Sequence, residues 1–161
     1  MKPKHSGFTL IELMIVVVLI SIIATIAVPG FQSMIESNRL TSTANGTLGL
    51  LNYARSEAVK RGEPVQVQPR NGDLKEGLEV RLVSAESTAD PIRVSDKMPG
   101  DVTLTIPSPG TLPMLFSGRG ERLGDNNVTY RLCPGNGRPG VDIVVNRGGQ
   151  ANRAETDPGC S

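Results

Sequence analysis

The feature that most constrains this chain is a run from Phe8 to Val28, 21 residues in which only Thr9, Glu12, Ser21 and Thr25 carry polar side chains. A helix rises about 1.5 Å per residue, so a run of this length spans the hydrocarbon core of a bilayer, roughly 30 Å thick. Glu12 is the anomaly within it. A charged side chain at the centre of a membrane helix costs about 2.5–3.5 kcal/mol on insertion scales, and less near one end. A carboxylate in such a run is a functional candidate waiting for a cation.

Met1-Lys2-Pro3-Lys4-His5-Ser6-Gly7 is short and basic, and it precedes the run. Positive charge marks the cytoplasmic side, so the residues beyond Val28 are expected outside the cytoplasm. Composition leaves two fates open. Cleavage at the small residues between Ser21 and Ala27 would make the run a discarded secretory signal. Cleavage after Gly7 would leave it on the mature protein.

Gly7-Phe8-Thr9-Leu10-Ile11-Glu12-Leu13 resembles the processing site of type IV pilins and of the related pseudopilins of secretion systems. The resemblance implies that a prepilin peptidase cuts between Gly7 and Phe8 and methylates the new N-terminal Phe8. It also implies that Glu12 pairs with a neighbouring subunit's N-terminal amine during assembly. An exposed α-amino group at one end of the helix is a suitable cation for a carboxylate in lipid. Head-to-tail stacking of such helices is heterologous and need not close, so it generates a filament. The implied partners are other minor and major pilins or pseudopilins, the prepilin peptidase and the bacterial inner membrane. The globular part would face the periplasm and later the cell surface.

Pro29-Gly30 directly follows the run and is expected to kink or locally melt the helix. Beyond it, Phe31, Met34 and Ile35, then Leu40, Ala44, Leu48, Leu51, Ala54 and Ala58, recur at three- to five-residue spacing, with Gly46 and Gly49 weakening the middle. Lys60-Arg61 suits a last turn, Gly62 a C-cap, and Pro64 follows. Leu51 to Gly62 is also similar to the helix end of the GspH/FimT group of minor pilins and pseudopilins, just before their first strand. Its charged residues read as a solvated face, with a possible Glu57–Arg61 pair.

After Gly62 the period switches towards two. Val65–Gln68, Leu78–Leu82, Ile92–Val94, Val102–Ile106, Met114–Phe116, Val128–Leu132 and Val141–Val145 read as strands, with turns at residues 69–73 and 107–113. Phe116 to Gly120 and Asn146 to Gly149 resemble the glycine-containing loop and the end of the last strand in the same group. The expected fold class is α+β and type IV pilin-like, a long N-terminal helix packed on antiparallel sheet. Its parts are a cleaved leader (1–7), a transmembrane and filament-core helix (8–28), its continuation (29–62) and an antiparallel β domain (63–161). Three Phe, two Tyr and no Trp require an aliphatic core.

Cys133 and Cys160 both lie in the C-terminal part. Buried free thiols would be the plainer reading in a cytosolic protein. Export behind a membrane segment favours a disulfide that pins an otherwise polar tail.

The sequence argues against an enzyme. His5 is the single histidine, and it lies in the leader, so with the cysteines paired neither Ser-His nor Cys-His nucleophile schemes can be built. No cluster has the spacing of a zinc or calcium site, and no glycine-rich segment joins a strand to a helix as a phosphate loop must. Neither a cofactor nor a metal is expected. Nucleic acid is also disfavoured. Without the leader the chain carries 15 basic and 16 acidic side chains. The C-terminal segment Gly148-Gly149-Gln150-Ala151-Asn152-Arg153 lacks the Gly-Arg-x-Arg pattern of DNA-uptake pilins. If any residues served DNA here they would be Arg138, Arg147 and Arg153, brought together by hairpins, and stacking aromatics are missing beside them.

Overall fold

The computed structural model describes residues 7–86, 89–107, 109–135, 137–154 and 160. The leader residues 1–6 lie outside the described residues. The chain divides into two compact units, one ending at Ser37 and one beginning at Asn38.

One helix, α1 (Leu10–Arg61), supplies the first unit and opens the second. The melting expected at Pro29-Gly30 does not occur: α1 runs through both residues. Pro29 withholds only its own hydrogen bond, which would have gone to the carbonyl of Thr25. In the first unit the apolar side chains are exposed, among them Ile11, Ile15, Leu19, Ile23 and Ile26. The Ser21 hydroxyl donates to the Val17 carbonyl at 2.8 Å and the Thr25 hydroxyl to that of Ile22 at 2.7 Å. Both hydroxyls are thus satisfied within the helix, as a lipid-facing surface requires.

In the second unit α1 buries Leu40, Ala44, Thr47, Leu50, Leu51, Ala54, Glu57 and Ala58. The spacing 40, 44, 47, 51, 54, 58 follows one face of a 3.6-residue period. Leu48 was expected on that face but is only partly buried, and Thr47 and Leu50 take its place. Thr47 tolerates burial because its hydroxyl donates to the Thr43 carbonyl at 2.9 Å. Three alanines, Ala44, Ala54 and Ala58, are among these buried residues. The helix ends as read: Gly62 has φ +70°, and its N–H donates to the Ala58 carbonyl at 2.9 Å.

Among the described residues nine strands follow: β1 (Val65–Pro69), β2 (Leu78–Leu82), β3 (Arg93–Val94), β4 (Val102–Thr105), β5 (Met114–Phe116), β6 (Arg122–Leu123), β7 (Val128–Pro134), β8 (Val141–Val145) and β9 (Ala151–Arg153). They form two antiparallel sheets, ordered β3-β2-β1-β5-β6 and β4-β7-β8-β9. Two single turns of 3-10 helix, Arg70–Gly72 and Leu74–Glu76, join β1 to β2. Alternation sets the core: Val65 and Val67 pair with Phe116 and Met114 on β5, while Val67 also faces Val80. Tyr130, Leu132, Ile143 and Val145 supply the second sheet's buried side. Burying each such side chain contributes about 1.5–3 kcal/mol, so an aliphatic core with two large aromatics, Phe116 and Tyr130, suffices. Arg93 lies over the Tyr53 ring at 4.7 Å and ties β3 to the helix.

Candidate functional site

The first unit places the assembly candidates in one helical turn. Thr9 is the residue before α1, and its hydroxyl accepts the Glu12 N–H at 3.3 Å. Thr9-x-x-Glu12 is therefore an N-terminal capping sequence, a local signal that reading Glu12 only as a membrane anomaly passes over. Glu12 is the acidic residue of the first helical turn, where the helix dipole favours negative charge. Capping fixes where the helix starts, and so fixes Glu12 one turn from Phe8, which is 83% exposed. A Cβ added at Gly7 would meet nothing within 4 Å, so the local structure does not itself demand glycine there. The helix is long and apolar enough to cross a membrane.

In the second unit Cys133 on β7 and Cys160 are joined, with their Cα atoms 5.6 Å apart. Gly140 makes room for the bridge, since a Cβ there would collide with the Cys160 sulfur and the Leu132 carbonyl.

The arginines do not form one surface. Arg138 lies in the β7–β8 connection and Arg147 in the β8–β9 turn, at opposite ends of the five-residue β8. At about 3.3 Å per residue the strand alone puts about 13 Å between its ends. Arg153 sits on β9 opposite Ile143. Arg131 is committed to its cross-strand neighbour Asp142 through two parallel bonds of 2.9 and 2.8 Å. Arg122 is only 8% exposed and donates to the Leu123 and Gly124 carbonyls at 3.2 and 2.7 Å, which holds the β6 edge in shape.

A polar network lies on the outer face of β1 and β2. The Glu79 carboxylate accepts from Gln68 and from Arg81, both at 2.7 Å, and Arg81 also donates to the Ala89 carbonyl. Burial pushes the Glu79 carboxyl up, but the hydrogen bonds from Arg81 and Gln68 and the charges of Arg81 and Arg70 outweigh it, so its pKa is lowered. A carboxyl lowered on folding contributes stability above its unfolded pKa and loses it as pH falls through the folded one. Glu79→Gln is expected to cost about 1–3 kcal/mol at pH 7. It is also expected to flatten the loss of stability on acidification, measured by denaturant unfolding of the full chain in detergent at pH 7 and pH 3.

Comparison with known proteins places this geometry. The family described as Type II transport protein GspH matches residues 43–149, and the prokaryotic N-terminal methylation motif matches residues 2–28. A Type IV major alpha-pilin of Moraxella bovis is 35% identical over 87 residues, covering 54% of this chain and 53% of that protein. A fimbrial protein of Pseudomonas aeruginosa is 33% identical over 101 residues, covering 62% and 66%. The chain thus spans between half and two thirds of the length of these relatives. Two crystal forms of the type IV minor pilin FimU of Pseudomonas aeruginosa share the fold. One has a TM-score of 0.66 at 24% identity, covering 76% of this chain and 95% of that one; the other has 0.62 at 25%, covering 74% and 97%.

Proposed function

The chain belongs to the GspH family of type IV pilin-like proteins, a structural family, and from that premise we propose that it is a minor pilin of a bacterial type IV pilus. In this reading it is made as a prepilin. A prepilin peptidase cuts between Gly7 and Phe8 and methylates Phe8. Residues 8–28 hold the subunit in the inner membrane with the β domain in the periplasm. On assembly they enter the filament core, and the subunit primes the fibre or links a tip complex of minor pilins to it.

The observation that carries the reading is Glu12, the single carboxylate among residues 8–28, capped into position one turn from Phe8 in an otherwise apolar and exposed stretch of α1. The methylation motif over the same residues supports it. So does Gly7, whose identity the local structure does not require and a peptidase would. Mass spectrometry of the mature protein is expected to find a chain beginning at N-methyl-Phe8. A mature chain beginning near Val28 would overturn the proposal.

A second reading is a minor pseudopilin of a type II secretion system, and the family description favours it. The pilin relatives and the minor-pilin fold favour the pilus. A DNA-uptake role finds little support, because β8 separates Arg138 from Arg147.

A further inference from the structure

The two glycine turns singled out in the sequence build a charged groove on the second unit. In the turn at residues 117–121, the Gly120 N–H donates to the Ser117 carbonyl at 2.8 Å, with Gly120 at φ +82°. In the turn at residues 146–150, the Gly149 N–H donates to the Asn146 carbonyl at 2.9 Å, with Gly149 at φ +75°. The turns stack on α1. A Cβ at Gly149 would collide with the Gly120 carbonyl, and one at Gly120 would lie 2.7 Å from the Val59 side chain. Glycine is needed at both positions for conformation and for contact.

This stack fixes Arg55, whose Nε donates to the Gly120 carbonyl at 3.0 Å. Beside it opens a groove of about 590 Å³ lined by Asn52, Arg55, Ser56, Val59, Lys60 and Arg119. Three of the six are cations and none is acidic. Among the described residues no carboxylate pairs with Arg55, Lys60 or Arg119, whereas Arg61, Arg81 and Arg131 each have one. Lys60 also suits the last turn of a helix, but that accounts for neither Arg55 nor Arg119. The whole chain carries only +1, so the grouping is local and not a consequence of a basic protein.

We propose that this groove docks an acidic segment of a neighbouring pilin subunit, with a carboxylate seated on Arg55 between Lys60 and Arg119. The inference rests on the assembly reading above. Arg55 has its Nε committed, which leaves the two terminal nitrogens of a pre-positioned guanidinium for a bidentate carboxylate. Three cations and no aromatic suit a short acidic segment better than duplex DNA, whose binding is built from many phosphate contacts along a stripe.

The test uses the full chain in pilus-forming cells. Lys60→Glu with Arg119→Glu leaves the Arg55–Gly120 bond in place, and both side chains are exposed. The double variant is expected to reach the membrane at the normal level with its disulfide formed, yet to fall about tenfold in sheared filaments. Lys60→Arg with Arg119→Lys is expected to retain incorporation. A photoreactive residue replacing Asn52 is expected to cross-link to a pilin peptide containing Asp or Glu, and to lose that adduct in the charge-reversed chain. Unchanged incorporation together with an unchanged cross-link overturns the inference and leaves the assembly reading intact. A cross-linked peptide without acidic residues also overturns it. So does a duplex DNA shift by the full chain in detergent that the double reversal abolishes. If the unmutated chain never enters filaments, the assembly reading fails, and a cross-link to an acidic pilin segment then decides the groove alone.

Discussion

Glu12→Ala is expected to leave the protein in the membrane and to remove it from filaments by about a hundredfold or more. Breaking a buried ion pair by deleting one partner costs about 3–5 kcal/mol, and each 1.4 kcal/mol is a factor of ten in an equilibrium. Insertion is not harmed, since removing a charge from an apolar helix favours lipid. Because Glu12 also stands three residues after the capping Thr9, the alanine variant alone would mix two effects. Glu12→Gln separates them: glutamine serves in the same capping position but carries no charge. If the role is pairing with a neighbour's amine, Glu12→Gln fails like Glu12→Ala. If Glu12→Gln assembles normally, Glu12 is a helix cap and the pairing proposal is lost. Immunoblots of sheared filaments against membranes give the ratio.

Legibility in the sequence followed the length and regularity of each element. Helix α1 and its stop at Gly62 were readable because the buried face repeats over five turns and glycine takes up the positive φ that ends it. Strands β1, β2, β4, β5, β7 and β8 were readable from alternation, and β3 from Ile92-Arg93-Val94, of which Arg93 and Val94 form the strand. Strands β6 and β9 were not, because Arg122-Leu123 and Ala151-Asn152-Arg153 are too short to show a period and are strands only through registry with β5 and β8. Counting charges also misleads. Arg131 is cancelled by Asp142 across the sheet and Arg122 is buried on carbonyls, so neither contributes to an exposed basic surface. Their register, not their number, decided that. The basic groove escaped notice for the same reason. Arg55 and Arg119 are 64 positions apart and meet only because Gly120 and Gly149 permit two turns to stack on the helix.

Replacing Cys133 and Cys160 together by serine is expected to cost about 3–4 kcal/mol, the chain-entropy value for closing a loop of this length; the bridge has a sequence separation of 27. For a domain whose net stability is about 5–15 kcal/mol this is a large fraction. The loss should be local in its first effects. Beyond Ala154, whose N–H donates to the Asp142 carbonyl at 2.8 Å, Cys160 is the one described residue of the tail, and the bridge attaches it to β7. Without the bridge, protease is expected to cut after Ala154 before the core opens, because β9 retains its own pairing with β8. Limited proteolysis with mass spectrometry tests that order, and denaturant unfolding of the full chain in detergent tests the magnitude. Cleavage in the core sheets first would mean that the bridge supports the whole domain and not the tail alone. Gly140→Ala on the oxidised chain gives an independent check. Its methyl group meets both the Cys160 sulfur and the Leu132 carbonyl, so it is expected to destabilise the domain with the bridge present and, through the Leu132 carbonyl, to keep part of that cost with the bridge removed.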